Sequence, residues 1–428
     1  MVNYHLVILV HGYCSVWGNS SHLAYIEKQL IENVKPDDGS KLLVYKTGSH
    51  SGYLTYDGID VNGKRITDEI LEQTQQVREN GDTVTKFSII GYSLGGLISR
   101  YAIGVLLKQG YFDKIEPVNF VTFCTPHIGV SKPHTRNFSV RLYNNIAPHF
   151  LAITGSQFFL KDKVGEFSKP LLVWMADPNS VFYLALKQFK YKSLYANVVN
   201  DKRCCWFTSS ISLTDPVNSL YNKFPQNITA EYIKGYEPNV IDASKPFYFE
   251  QKSKEQTYGA SSRRGLFWKT LNWCKLIGTI AIYAPIMGLS FVVSSIYQRI
   301  QTLNRLRHFH SEKSNNLSHL YEYNENTSLF TNLSNKLEDE QDTIVEDMYG
   351  AMNWKVSHSS SNFPPITLDD SQKFAVEKLN TLGWQKFPII LRHTTATHAG
   401  AIVRHADPNF DEGKVIVGHF VENVFKLE

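Results

Sequence analysis

The 428-residue sequence predicts an α/β fold built on a doubly wound, mostly parallel sheet. Three observations predict it. Short continuous apolar runs, of the kind that a strand buried on both faces requires, recur at residues 5–10, 87–90 and 118–123. Helix-forming segments alternate with them. One run, Phe87-Ser88-Ile89-Ile90, ends on Gly91-Tyr92-Ser93-Leu94-Gly95, and a helical segment from Leu94 to Leu107 follows at once: strand, sharp turn, helix.

Taken in order, the first run stops at His11-Gly12. Residues 20–32 read as the first helix and 42–45 as the second strand. Thr55-Tyr56-Asp57-Gly58-Ile59-Asp60 comes next, and residues 65–78 show the spacing of an amphipathic helix. After the turn at Ser93 and its helix, the strand 118–123 leads into Cys124-Thr125-Pro126-His127-Ile128-Gly129, rich in loop formers. From Val130 to Lys192 the strand rhythm breaks, and apolar pieces at 146–160 and 181–189 take helical spacing. They read as a cap over the serine or as ordinary surface helices. Residues 194–199 resume as a strand with Asn200-Asp201 at its end, and the next hundred or so residues do not belong to the sheet. Order returns with a helix at 371–382 and a last strand at 387–391, followed by His393, His398 and His405.

The turn at Gly91 to Gly95 reads as a nucleophile elbow, in which small residues two positions either side of Ser93 let strand and helix approach closely. This makes the expected fold an α/β-hydrolase. In that fold a loop of the His11-Gly12 type supplies one oxyanion-stabilising backbone N–H and the residue after the nucleophile supplies the other, which points to Tyr13 and Leu94. Asp201 stands where an acid oriented towards a histidine would sit. The base should lie on the loop after the final strand, which favours His398; His419, in an apolar terminal segment where packing or capping suits it better, is the second choice. Ser93, Asp201 and His398 then follow one another in α/β-hydrolase order.

The net charge is only +4, but residues 252–313 hold ten Lys and Arg against two acids. One local basic zone argues against a nucleic-acid footprint. Inside it, Leu276 to Tyr297 runs 22 residues without a charge, flanked by Arg263, Arg264, Lys269 and Lys275 before and by Arg299, Arg305 and Arg307 after. That length can cross a bilayer. Both flanks are basic, however, and a single span would part Ser93 from His398, so a kinked element entering and leaving one membrane face is preferred to a span or a buried lid helix. The basic flanks suit anionic headgroups. The expected organisation is a hydrolase core at 1–250 with its cap at about 130–192, a membrane-associating insertion at 251–310, a mobile linker rich in Asn, Ser and acids at 311–365, and a return of the core at 366–428. Five cysteines (14, 124, 204, 205, 274) form no C-x-x-C pair, and neither a metal nor a cofactor site is expected. No signal peptide is expected before the first strand, and a cytosol-facing chain is expected.

His11-Gly12 with Trp17-Gly18-Asn19, residues 55–60 with Arg65, Gly91 to Leu97, Thr125-Pro126-His127, Tyr195-Ala196-Asn197 with Asp201, and His398 with Ile402-Val403-Arg404 together resemble the eukaryotic putative serine esterase/lipase family, most of all its fungal lipid-droplet phospholipases. The resemblance departs after Asp201, where Lys202-Arg203-Cys204-Cys205 replaces a more apolar pattern. It implies a serine lipase or phospholipase cleaving acyl esters of lipids, glycerophospholipids among them, through Ser93, His398 and Asp201. The expected location is a membrane or lipid-droplet surface, on droplets or the endoplasmic reticulum. Two other functions stand beside it: deacylation of another acyl compound, such as an acyl-protein or glycolipid, and a catalytically silent hydrolase fold serving as a membrane interaction module.

Overall fold

The computed structural model describes residues 1–13, 20–36, 39–133, 138–165, 168–215, 228–249, 293, 295–311, 317–321, 366 and 368–428. Most of the expected insertion and linker, including Leu276 to Phe291, lies outside them.

Six parallel strands form the sheet: β1 (Asn3–Val10), β2 (Lys41–Lys46), β3 (Thr83–Tyr92), β4 (Glu116–Phe123), β5 (Tyr191–Asn197) and β8 (Gln385–Ile389). Their order is β2-β1-β3-β4-β5-β8, while β6 (Ile228–Thr229) and β7 (Tyr248–Phe249) make a separate two-stranded ladder. Alternate residues of each continuous apolar run feed opposite cores, which is why the runs carry no polar face. Leu6, Ile8 and Val10 pack on one side with Phe87, Ile89, Leu194 and Ala196. Val7 and Leu9 pack on the other with Ile90, Val121 and Tyr195.

Helices cover both faces. The first core is closed by α2 (Ile59–Glu79), α3 (Leu94–Lys108) and the Val181–Gln188 helix. The second is closed by α1 (Ala24–Asn33) and the C-terminal Asp411–His419 helix. Strand order reverses between β1 and β3, and their register sets Val10 opposite Gly91. The C-terminal ends of these two strands therefore open one crevice, the place where a doubly wound sheet holds its ligand. This topology, with the strand–turn–helix at Ser93, is that of an α/β-hydrolase.

Several boundaries differ from expectation for physical reasons. Helix α2 begins at Ile59 rather than at 65, because Ile59, Val61, Asn62, Gly63 and Lys64 are all buried and that first stretch has no polar face to show. The final strand ends at Ile389 rather than at Leu391. There the backbone leaves β5 for the segment after β6: Ile390 N–H donates to the Asn239 carbonyl (2.9 Å), and Ile241 N–H donates to the Pro388 carbonyl (2.9 Å). Residues 239–241, expected outside the sheet, thus cover its edge at Val240 and Ile389. Within the expected linker, Leu317, Leu320 and Tyr321 form a small turn packed into the first core, and the Tyr321 and Tyr101 hydroxyls lie 3.0 Å apart.

The helix at 295–311 is inverted relative to an ordinary surface helix. Its inward side carries Gln298 and Thr302, both buried, and Arg305. Its outward side carries Ile296, Tyr297, Ile300 and Leu303, each 43–57% exposed. Arg305 is moored by Asp57, whose fully buried carboxylate takes Arg305 Nη2 at 2.6 Å and Arg65 Nη2 at 2.9 Å.

Tight helix packing on the first core supplies a test. A Cβ at Gly63 of α2 would collide with the ring of Tyr101 on α3, and that ring is held by Phe182 and Tyr321. Gly63→Ala is expected to cost about 1–3 kcal/mol by overpacking, read as a lowered urea midpoint with an unchanged slope.

Candidate active site

Ser93 sits between β3 and α3 with φ 55° and ψ −125°, left-handed backbone that a serine adopts only where its surroundings enforce it. The enforcement comes from neighbours without side chains. A Cβ on Gly91 would overlap the backbone of Gly96, one on Gly95 would overlap the Val10 carbonyl oxygen, and one on Gly96 would overlap Thr125. Gly12 approaches from β1, where a Cβ would stand 2.7 Å from that of Ser93. Ser93 N–H is held by the Phe123 carbonyl at 2.9 Å.

The structure brings Ser93, His398 and Asp201 into one hydrogen-bonded row. His398 Nε2 lies 3.0 Å from Ser93 Oγ, and His398 Nδ1 lies 2.8 Å from Asp201 Oδ2. The carboxylate can only accept, so Nδ1 carries the proton and Nε2 is left to accept from the serine hydroxyl. Asp201 follows Asn200, itself left-handed at φ 61°. Its Oδ1 accepts from the N–H groups of Arg203 (3.0 Å) and Cys204 (2.9 Å), and its Oδ2 accepts from Asn197 Nδ2 (3.2 Å). Burial alone would raise this carboxyl's pKa, but His398 and those donors outweigh it and hold the carboxyl below its ordinary value.

The two oxyanion candidates lie on either side of Ser93's turn. Tyr13 follows Gly12 into the cleft beside Ser93, and Leu94 is the first residue of α3, where backbone N–H groups have no partner within the helix. The second-choice histidine is placed elsewhere: His419 Nδ1 is 2.8 Å from the Tyr195 hydroxyl, and its ring packs against Tyr236 and Phe387 in the second core.

Sequence reasoning assigned no role to several supports of the row. The Tyr92 hydroxyl donates to the His398 carbonyl at 3.0 Å and so ties the histidine loop to the elbow. Asn197 holds Asp201 and also reaches Cys124 Sγ at 3.3 Å. The apolar end of β5 running into Asn197 and Asp201 was the available signal for Asn197; a tyrosine beside a nucleophile carries none. His127 of the Thr-Pro-His turn is structural, its carbonyl accepting from the buried Arg100 (2.9 Å). Cys124, Asp201 and His398 each bring one atom capable of binding a metal within 4.8 Å of the others. Both ring nitrogens of His398 already face the row, and burial raises the Cys124 pKa, keeping it a neutral thiol unlike a metal-binding thiolate.

A cleft of about 560 Å³ lies over the row. Tyr143, Ala147, Leu151, Phe158 and Phe159, from the helical segment after β4, make its apolar wall, while Lys202, Arg203 and Arg404 stand on its rim.

Residues 2–211 match the family model described as Putative serine esterase (DUF676). The match covers 210 of the 428 residues, just under half of the chain. A Schizosaccharomyces pombe protein named putative lipase C4A8.10 is 32% identical over half of the chain and 26% of its own length. The Saccharomyces cerevisiae putative lipases YDL109C and ROG1 are 30% and 29% identical over 62% and 56% of the chain, and over 39% and 33% of their own lengths. The chain thus spans between a quarter and two-fifths of these relatives. A Listeria innocua protein of solved structure aligns with 48% of the chain and 76% of its own, at 14% identity and a TM-score of 0.28.

The buried histidines give the fold an acid limit. Burial pulls His419 down to about 4 from an ordinary 6.5, so it folds neutral. An unfolded His419 takes up a proton below pH 6.5, and its stabilising effect, complete above that pH, is lost as pH falls towards 4. By linkage this amounts to about 3 kcal/mol. Urea denaturation of the wild type should weaken over that interval, and His419→Gln should show a shallower acid dependence.

Proposed function

We propose that the chain is a serine lipase or phospholipase, cleaving acyl esters of neutral lipids or glycerophospholipids at a membrane or lipid-droplet surface. The observation that carries the chemistry is the row Ser93–His398–Asp201. His398 Nε2 takes the Ser93 proton as Oγ attacks the acyl carbonyl, and Asp201 steadies the imidazolium that forms. The oxyanion turns to the N–H groups of Tyr13 and Leu94. Collapse of the tetrahedral intermediate expels the glycerol oxygen, which takes the proton from His398, and a water then releases the acyl group by the same route.

The apolar wall over Ser93 suits a fatty acyl chain, and the family relation favours ester hydrolysis. A lipid surface is supported by the distribution of exposed apolar residues. Leu142, Tyr143 and Ile146 on the Phe138–Ile146 helix join the four outward residues of the 295–311 helix, and Arg299 on the latter reaches His149 beside the former. Tyr143 belongs both to this exposed face and to the cleft wall, so a lipid surface meeting the face would also meet the cleft. Cytosol-facing placement on droplets or the endoplasmic reticulum accords with a hydrolase of membrane lipids. No helix among the described residues is long and apolar enough to cross a membrane.

Ser93→Ala should abolish both lipid ester hydrolysis and labelling by a fluorophosphonate probe while the protein stays folded, a loss on the order of 10⁴-fold or more. Turnover at the wild-type rate would refute the proposed chemistry. The surface reading is tested separately by floating the protein with phospholipid vesicles or emulsion droplets. Replacing Ile296, Tyr297 and Ile300 together by serine should cut the bound fraction at least several-fold, and equal flotation would overturn it.

A further inference from the structure

We infer that Lys202, Arg203 and Arg404 form a phosphate-recognition rim on the Ser93 cleft, so that the site selects lipids carrying an anionic phosphate near the scissile ester over uncharged glycerides. The inference rests on the proposed ester hydrolysis and assigns its substrate preference to particular side chains.

The three cations line the cleft that also contains Ser93 and His398. Each is fixed to the hydrolytic row through the backbone: Lys202 and Arg203 directly follow Asp201, and Arg404 lies just after the Thr397–Gly400 turn of helix that carries His398. The Arg203 N–H itself binds the Asp201 carboxylate. Left-handed residues precede both groups, Asn200 at φ 61° and Val403 at φ 52°, which makes the placement of the cations a built feature of the two loops. Lys202 and Arg203 are exposed and Arg404 is half-buried, and among the described residues none of their side chains has an ion-pair partner. Three other cations near the first core are paired, Arg65 and Arg305 with Asp57 and Lys169 with Asp177. Unpaired positive charge lining a cleft that also has an apolar wall is complementary to a ligand with an acyl body and an anionic head.

His22, on the same cleft, adds no charge at pH 7: burial, and after it Arg404, His11 and His405, bring it down to about 4. Guanidinium groups bind phosphate oxygens in pairs and lysine acts as a point charge, so the rim has the donors that a phosphodiester or phosphomonoester requires.

The test compares dihexanoyl phosphatidate with dihexanoylglycerol, both kept monomeric so that surface binding plays no part. Wild-type kcat/KM should favour the phosphatidate by about 10- to 100-fold, as expected for charge-assisted contacts. Lys202→Gln/Arg203→Gln/Arg404→Gln should bring that ratio close to one, and Arg404→Lys should retain most of it. A wild type without preference, or a triple variant that keeps the wild-type ratio, would overturn the inference.

Failure of the hydrolytic reading has a different signature, since wild type would then cleave neither ester. Binding still decides the rim in that case. Titrating Ser93→Ala with dihexanoyl phosphatidate should give an affinity at least tenfold above that of the same protein carrying the three glutamines. The Lys202→Gln/Arg203→Gln pair, at exposed positions, serves if Arg404→Gln disturbs folding. Inorganic phosphate is titrated alongside: equal affinity for it, lost in the same variants, would assign the rim to free phosphate and overturn the lipid assignment.

Discussion

The active-site geometry depends on one close approach, between the α-carbon of Gly95 at the start of α3 and the carbonyl oxygen of Val10 at the end of β1. No side chain fits between them. The contact lets the helix after the nucleophile rise directly from the crevice between β1 and β3, with Gly91 against Gly96 allowing the chain to reverse so sharply. Ser93 is left at the apex in a conformation that serine does not choose for itself. Gly12 closes the arrangement from the other side, and Tyr13 follows it into the cleft. Strain at one residue is thus held by backbone packing among four glycines and a strand end.

The row beyond Ser93 is secured by polar contacts of a different kind. His398 is fixed twice, through its ring to Asp201 and Ser93 and through its carbonyl to Tyr92. Asp201 accepts from two backbone amides and Asn197, so its charge is satisfied before any substrate arrives. These partners come from β3, from the end of β5 and from the chain after β8, three parts of the sequence that meet only because the sheet brings their C-terminal ends together.

What could be read from the sequence followed the range over which the physics acts. The strands of a parallel sheet announce themselves as apolar runs, and the elbow announces itself by glycines at fixed distances from a serine, since both signals are local. The positions of Asp201 and His398 followed from chain order after strands. By contrast, the buried first turns of α2 gave no amphipathic period, and the tie from Tyr92 to His398 spans 306 residues. The edge formed by residues 239–241 was invisible because an isolated antiparallel bridge needs only a few residues of no special composition. The inverted helix at 295–311 was not legible, because it overlaps only the last residues of the apolar stretch and which side faces inward depends on a buried carboxylate far away at Asp57.

That carboxylate couples more than one pair of elements. Asp57 receives Arg65 from α2 and Arg305 from the 295–311 helix, and the next residues, Gly58 and Ile59, donate to Thr154 and Gln157 on the Ala152–Phe158 helix, which ends in the cleft wall. Asp57 is therefore a mechanical joint. Force applied to the outward helix, by whatever it touches, is delivered through a guanidinium to the same short turn from which the wall over Ser93 is hung.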